Sequence, residues 1–272
     1  MGPLTKRILV ALAAIPALLA VTFFPQGLPF KILVVLALLL ALHELFQLVP
    51  RKGVLGLKGA AFLCLLLVLL PDFDPSIPYF QERESVLLGL LILSLTFLFS
   101  GRPPQEMLAS VGLTYFGVLY FGVLGGYFLL LRDLPRGSWL LLFVYAATWA
   151  YDTGGYFVGR FFGRHKMTPR VSPKKSWEGT AGGFVFSLIV LFLLWRGFAV
   201  FQEIFDWKDV LILSLLMSLF GQLGDLVESM VKRSLSAKDS GSFFPGHGGI
   251  FDRIDSLLFN APILFYYLTI RF

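Results

Sequence analysis

The sequence predicts an all-α, polytopic integral membrane protein, on three observations: an unusually apolar composition, apolar runs of bilayer-spanning length, and basic residues concentrated between alternate runs. Of 272 residues, 57% are hydrophobic and 15% charged, and the mean hydropathy is +0.78. Soluble domains carry more charge to keep their surfaces wet. Apolar runs fall near residues 8–24, 30–49, 54–71, 86–100, 108–131, 138–158, 179–200, 209–230 and 256–270, which predicts about nine transmembrane helices. The run at 86–100 is short for a span, and "YFGVLGGYF" within 108–131 is a place for a kink. A membrane barrel is excluded because "ILVVLALLLAL" and "FLCLLLVLL" are apolar all round, without the polar alternation of barrel strands.

Charge sets the expected orientation. With the N-terminus cytoplasmic, the inner segments hold 16 of the 23 Lys and Arg, from Lys6 and Arg7 through Lys174 and Lys175 to Arg253. The outer side then receives the Pro-rich acidic stretch "PDFDPSIPYFQERE", and nine spans put the C-terminus outside. The basic start and "ALLA" of residues 1–24 also suit a cleaved signal peptide, but removing them would force the basic loops to be reassigned, so a first span is expected. The net charge of +6 is thus one-sided and suits anionic headgroups, each basic residue gaining up to about 1 kcal/mol. It gives no reason to invoke nucleic acid. Cys64, the single cysteine, lies in an apolar run, which excludes an internal disulfide and a cysteine-based zinc cluster and leaves packing as its role. The chain divides into residues 1–140, a lipid-facing scaffold of N-terminal helices, and residues 141–272, a C-terminal catalytic part with its site on the cytoplasmic side.

Three polar islands lie on the expected inner face, all in the C-terminal half. In "WAYDTGGYFVGRFFGRHK", Asp152 stands at the end of an apolar span, where an unpaired carboxylate costs roughly 2.5–3.5 kcal/mol. It is either the structural partner of a nearby Arg or a contact for substrate or metal. Gly155, Gly159 and Gly163 recur every fourth residue and suit close helix packing. In "VSPKKSWEGTAGG", Ser172 and Pro173 read as a helix start, which puts Lys174 and Lys175 in a first turn already made positive by the helix dipole. A bound anion would relieve that conflict, while headgroup snorkelling, with Trp177 as an interfacial anchor, is the plainer account.

The third island is "GQLGDLVESMVKRSLSAKDSGSFFPGHGGIFDRIDS". On a helix Asp225, Ser229 and Lys232 share one face, with Glu228 at its edge. Asp252 and Asp255 are three apart, so a helix beginning near Ile250 points both to one side with Arg253 beside them. "PGHGG" between them is free to turn backbone N–H groups toward one point as an anion nest. Carboxylates on two segments, lysines, arginines and exposed N–H groups suit a divalent cation on a polyphosphate, and hard oxygen ligands favour magnesium. His247 serves either acid/base work or donation to a phosphate, and the second is preferred because phosphate nucleophiles are already ionised. No G-x-x-x-x-G-K-[ST] loop or G-x-G-x-x-G competes.

The stretch "SMVKRSLSAKDSGSFFPGHGGIFDRID", Ser229 to Asp255, resembles the signature of the phosphatidate cytidylyltransferase (CDP-diacylglycerol synthase) family, with its S-x-x-K-R, K-D-x-G, P-x-H-G-G and D-R-x-D elements in place. "SPKKSWEG" and "DTGGYFVGRFFG" are similar to further blocks of that family, and the resemblance covers roughly residues 145–262. It implies that CTP and phosphatidate react to CDP-diacylglycerol and pyrophosphate, with Mg2+, and with room for a second cation. On that resemblance Asp225 and Asp252 bind the metal with Asp255 assisting. Lys232, Arg233, Lys238, His247 and the N–H groups of Gly248 and Gly249 hold the CTP phosphates, Lys232 being counted with the catalytic groups. Lys174, Lys175 and Arg253 neutralise the lipid phosphate, and an apolar crevice beside Asp225 takes the acyl chains.

The physics agrees, because joining two anionic phosphates requires cationic groups to screen repulsion and collect charge on the leaving group. A CTP-dependent kinase of polyprenol or another lipid alcohol would need similar parts. A transporter would use intramembrane Asp152, Asp225, Glu228 and the His43–Glu44 pair, but the charges gather on one face instead of at the midplane, and no inverted repeat is visible. For His43 and Glu44 a satisfied interhelical pair is the expected role. Glycine faces at Gly122–Gly126 and Gly179–Gly183 are compatible with a homodimer.

Overall fold

The computed structural model describes residues 3–49, 57–74, 82–241 and 248–271. His247 lies outside them, as does most of the acidic Pro-rich stretch. The described chain is mostly helical. Its helices are α1 (Pro3–Thr22), α2 (Leu28–Leu48), α3 (Lys58–Phe73), α4 (Glu82–Leu98), α5 (Met107–Asp133), α6 (Gly137–Phe162), α7 (Trp177–Gly197), α8 (Ala199–Ile204), α9 (Trp207–Ser234) and α10 (Phe251–Arg271). A hairpin of β1 (Lys166–Thr168) and β2 (Ser172–Ser176) joins α6 to α7. Each of the nine apolar runs overlaps one of these helices. Helix α5 runs unbroken through "YFGVLGGYF"; Gly122, Gly125 and Gly126 meet packing neighbours that compensate their weak helix propensity.

Four described helical segments are long and apolar enough to cross a membrane: Leu28–Leu48, Pro104–Asp133, Trp177–Gly197 and Trp207–Ser234. Their side chains also show it. Leu108 is 85% exposed, Leu193 64% and Leu215 55%, a surface that water would penalise at roughly 25 cal/mol per Å² and hydrocarbon would not. This is a membrane protein.

Two compact units emerge, residues 1–133 with 234–253, and residues 134–233 with 254–272. In the first, α3 packs on α5, α4 and α2 around fully buried Leu42, Leu45, Leu65, Leu69 and Phe121. Phe251, at the start of α10, stacks edge-on against Phe121 at 4.9 Å and Tyr120 at 5.7 Å. Gly122 and Gly126 face Val68 and Asp72 of α3, so this small-residue face is occupied within the chain.

In the second unit α6 and α7 run against each other backbone to backbone. A Cβ placed on Gly154 would lie 2.5 Å from Phe186 Cβ and 2.7 Å from the Gly182 carbonyl, and one on Gly179 would lie 3.0 Å from the Gly155 carbonyl. The packing role expected for Gly155 and Gly159 therefore holds, with Gly179 and Gly183 as the opposite face. An aromatic cluster of Trp139, Phe143, Phe201 and Phe205 closes the far end, and Asn260 of α10 donates to Thr148 of α6 at 2.8 Å.

The contrast between two glycines tests this packing. Gly154→Ala is expected to lose about 1–3 kcal/mol by overpacking, whereas Gly112→Ala, where nothing lies within 4 Å, is expected to be neutral or to gain up to about 1 kcal/mol of helix propensity. Thermal unfolding in detergent reads both; equal shifts would remove the close α6–α7 approach as an explanation.

Candidate functional site

The helix start expected at Ser172 and Pro173 is instead strand β2, antiparallel to β1 with Lys166 opposite Ser176 and Thr168 opposite Ser172. Helix α7 begins four residues later. Ser176 is its N-cap, the hydroxyl accepting the Gly179 N–H at 3.2 Å, and Glu178 lies in the first turn where the dipole favours an acid. Glu178 also accepts the N–H groups of Arg164 and His165 at 3.2 Å and meets His165 Nδ1 at 2.6 Å, which ties down the hairpin. The second Ser in "SPKKSWEG", followed two residues on by an acid, was the better cap signal.

The hairpin puts Lys174 and Lys175 not in a helical turn but on the wall of a cavity of about 770 Å³. Four cationic side chains line it, Arg160, Lys166, Lys174 and Lys175, against two carboxylates, Asp152 and Asp225, together with Tyr151, Thr180 and Gln222. The first two polar islands and two residues of the third, Gln222 and Asp225, thus meet here. Asp152 is exposed and lines this cavity. Gln222 is held in place from both sides, accepting the Tyr151 hydroxyl at 2.6 Å and donating to Thr180 Oγ1 at 2.9 Å.

Behind the cavity, Asp225 and Glu228 of α9 and Asp255 of α10 each offer one carboxylate oxygen, all within 4.8 Å of one another. Helix α10 comes this close because Gly221 and Gly224 of α9 leave it room: a Cβ on Gly224 would sit 2.6 Å from the Asp255 carbonyl. Lys175 Nζ lies 2.8 Å from Asp225 Oδ2, close in distance but off hydrogen-bond alignment. Lys232 Nζ lies 2.7 Å from Glu228 Oε1, one helical turn away, with side chains 12% and 2% exposed. Ser229 Oγ is 3.4 Å from Asp225. Two carboxylates about 5 Å apart repel by about 3 kcal/mol at an effective dielectric near 20, a repulsion that cations beside them offset. The donor set is hard carboxylate oxygen, which fits magnesium.

Glu228 was not expected among the metal ligands, though its place three residues after Asp225 and four before Lys232 is a one-turn signal. Asp252 belongs to the other compact unit. Its Oδ2 accepts Ser240 N and Oγ at 3.0 Å and Gly249 N at 2.8 Å. The Gly249 N–H, expected to face a phosphate, is therefore taken by the neighbouring carboxylate; Gly248, at φ +82°, makes the turn that allows it. Arg233 Nε donates to the Val171 carbonyl at 3.5 Å, and Lys238 and Arg253 are exposed. His43 and Glu44 do not pair with each other: His43 meets Gln47 at 2.9 Å, and Glu44 meets Ser240, Ile250 and Phe251.

Fold and site together define a helical membrane protein with a carboxylate cluster beside a cation-lined cavity. The chain belongs to the cytidylyltransferase family, which it matches over residues 5–271. Among curated relatives, the phosphatidate cytidylyltransferase of Bacillus subtilis is 36% identical over 248 residues, covering 89% of this chain and 90% of the relative. That of Staphylococcus saprophyticus is 36% identical over 261 residues, covering 95% and 96%, and that of Staphylococcus aureus is 36% identical over 263 residues, again covering 95% and 96%. The family match extends N-terminally to residue 5, well beyond the stretch that carries the signature.

Ser176→Ala is expected to cost about 1 kcal/mol through loss of the cap, with Ser176→Thr restoring most of it. Denaturation in detergent measures the pair; an unchanged midpoint for the alanine variant would show the hydroxyl to be idle.

Proposed function

We propose that this protein transfers the cytidylyl group of CTP to phosphatidate, giving CDP-diacylglycerol and pyrophosphate for phospholipid biosynthesis. The observation that carries the reading is the double position of Asp225, which belongs to the carboxylate cluster and also lines the cationic cavity. A cation held by the cluster and anions held by the cavity would meet at that residue. The names of the curated relatives supply the substrates.

In the reaction an oxygen of the phosphatidate phosphate attacks the α-phosphorus of CTP. The bond from that phosphorus to the α,β-bridging oxygen breaks, and pyrophosphate leaves with the electron pair. Asp225, Glu228 and Asp255 would hold the metal ion, and the family resemblance gives Asp252, in the first turn of α10, a metal-binding role as well. When bound, magnesium supplies Lewis acidity and a template for the polyphosphate; a second cation has a place in the same reading. Lys174, Lys175, Arg160 and Lys166 draw a phosphate into the cavity and offset its charge, and Lys175 exchanges Asp225 for phosphate as the anion arrives. Lys232, Arg233, Lys238, His247 and Gly248 serve the CTP phosphates, and Arg253 the lipid phosphate. Residues 141–272 supply every one of these catalytic groups, in a chain of nine spans in the cell membrane. The N-terminus and the site face the cytoplasm and the C-terminus faces outward, as the one-sided distribution of Lys and Arg supports.

Purified protein incubated with labelled CTP and phosphatidate is expected to release pyrophosphate and form CDP-diacylglycerol, and to stop when magnesium is chelated. Release of CDP would instead mean kinase chemistry, and no product would end the proposal. Asp225→Asn is expected to lower turnover about 100-fold and Glu228→Gln to raise the magnesium needed for half-activity about tenfold. A folded Asp225→Asn variant with near-normal turnover would contradict the metal assignment.

A further inference from the structure

Glu44 takes no part in the chemistry proposed above, yet it is a carboxylate only 6% exposed in an apolar helix. Such a group needs donors. Among the described residues they come from two places, Ser240 and the start of α10. Ser240 Oγ lies 2.9 Å from Glu44 Oε2, while Ile250 N donates to Oε1 at 2.9 Å and Phe251 N to Oε2 at 3.0 Å. The last two are N–H groups at the start of α10, where helical partners are lacking and a negative charge is favoured.

The local sequence leaves room for this carboxylate. A Cβ on Gly241 would lie 2.9 Å from Glu44 Oε1, and one on Gly249 would collide with Glu44 Oε2 and Ser240 Oγ. The contact continues to Asp252. The Ser240 hydroxyl stands 2.9 Å from Glu44 and 3.0 Å from Asp252 Oδ2, so one proton lies between two carboxylates, while Ser240 N and Gly249 N complete the shell of Asp252.

We infer that Glu44 of α2 is a positioning residue for the reaction: it clamps Ser240, Ile250 and Phe251, and through Ser240 it orients the carboxylate of Asp252. The inference rests on the proposed cytidylyl transfer for its effect on turnover, but the clamp itself does not. A glutamine here would turn an NH2 group toward N–H donors, whereas aspartate keeps the charge at shorter reach.

The test compares wild type, Glu44→Gln, Glu44→Asp, Ser240→Ala and the Glu44→Gln/Ser240→Ala double variant in detergent. Glu44→Gln is expected to lose about 10–100-fold in kcat, the range for residues that orient a site from behind, with KM for phosphatidate changed less than about threefold. Glu44→Asp should recover part of the loss. Because the two groups act through one contact, the double variant should fall to about the level of the worse single variant. A Glu44→Gln kcat within about twofold of wild type, or losses that multiply in the double variant, overturns the inference. If Glu44→Gln does not fold, Ser240→Ala decides, since it removes one hydroxyl, and wild-type kcat there overturns it.

Hydrogen exchange separates the clamp from the function. The Ile250 and Phe251 amides should exchange at least about tenfold faster in Glu44→Gln than in wild type, the loss of roughly 1.4 kcal/mol of protection. Equal exchange refutes the clamp. A wild type that makes no CDP-diacylglycerol refutes the proposed function and leaves that exchange result standing.

Discussion

A carboxylate set into an apolar helical chain costs several kcal/mol unless donors or cations meet it, and the way each one is met organises both compact units. For two of them the solutions are structural. Asp209, 3% exposed, is paired with Arg271 and accepts the Tyr267 hydroxyl at 2.6 Å, and Lys31 binds Asp133 at 2.6 Å and the Phe73 carbonyl at 2.8 Å. Glu44 is met by neutral donors alone among the described residues. The cluster of Asp225, Glu228 and Asp255 is different, because three carboxylates gather there beside Lys175 and Lys232. Gathering like charges at one point is what distinguishes a candidate site from a structural pair.

Close helix approach makes the site possible. The glycine faces of α6 and α7 bring two backbones to within a Cβ of each other, and the hairpin that connects them then has little freedom. Ser176 caps α7 at one end of it and Glu178 fastens the other. The β2 backbone thereby holds Lys174 and Lys175 at the cavity wall, and Lys175, beside Asp225, is ordered during folding instead of at substrate binding. A cavity with more cations than carboxylates is suited to substrates whose reacting groups are both phosphates.

The helices were legible because a bilayer-length apolar run leaves the backbone few alternatives, and all nine runs fall on helices. Asp225 and Asp255 were legible from their motif. The hairpin was not: Ser172–Pro173 is as good a local helix start as Ser176, and the choice was made by pairing across to Lys166–Thr168 and by the Ser176 cap. Glu228 was read as the edge of a face because helical spacing places a residue around its own axis but does not say which neighbouring helix brings another carboxylate to it.

By itself, then, the sequence determined the membrane-embedded helical class, the positions of its apolar segments and the chemical character of the three polar islands, since hydropathy and motif composition are local properties. The tertiary structure alone decided that Asp152, Lys175 and Asp225 share one cavity. It also decided that Glu228 joins Asp225 and Asp255, and that Glu44, some 200 residues earlier in the chain, holds Ser240 and the start of α10. These are long-range pairings set by where buried charge finds its partners, and hydrophobic periodicity carries no record of them.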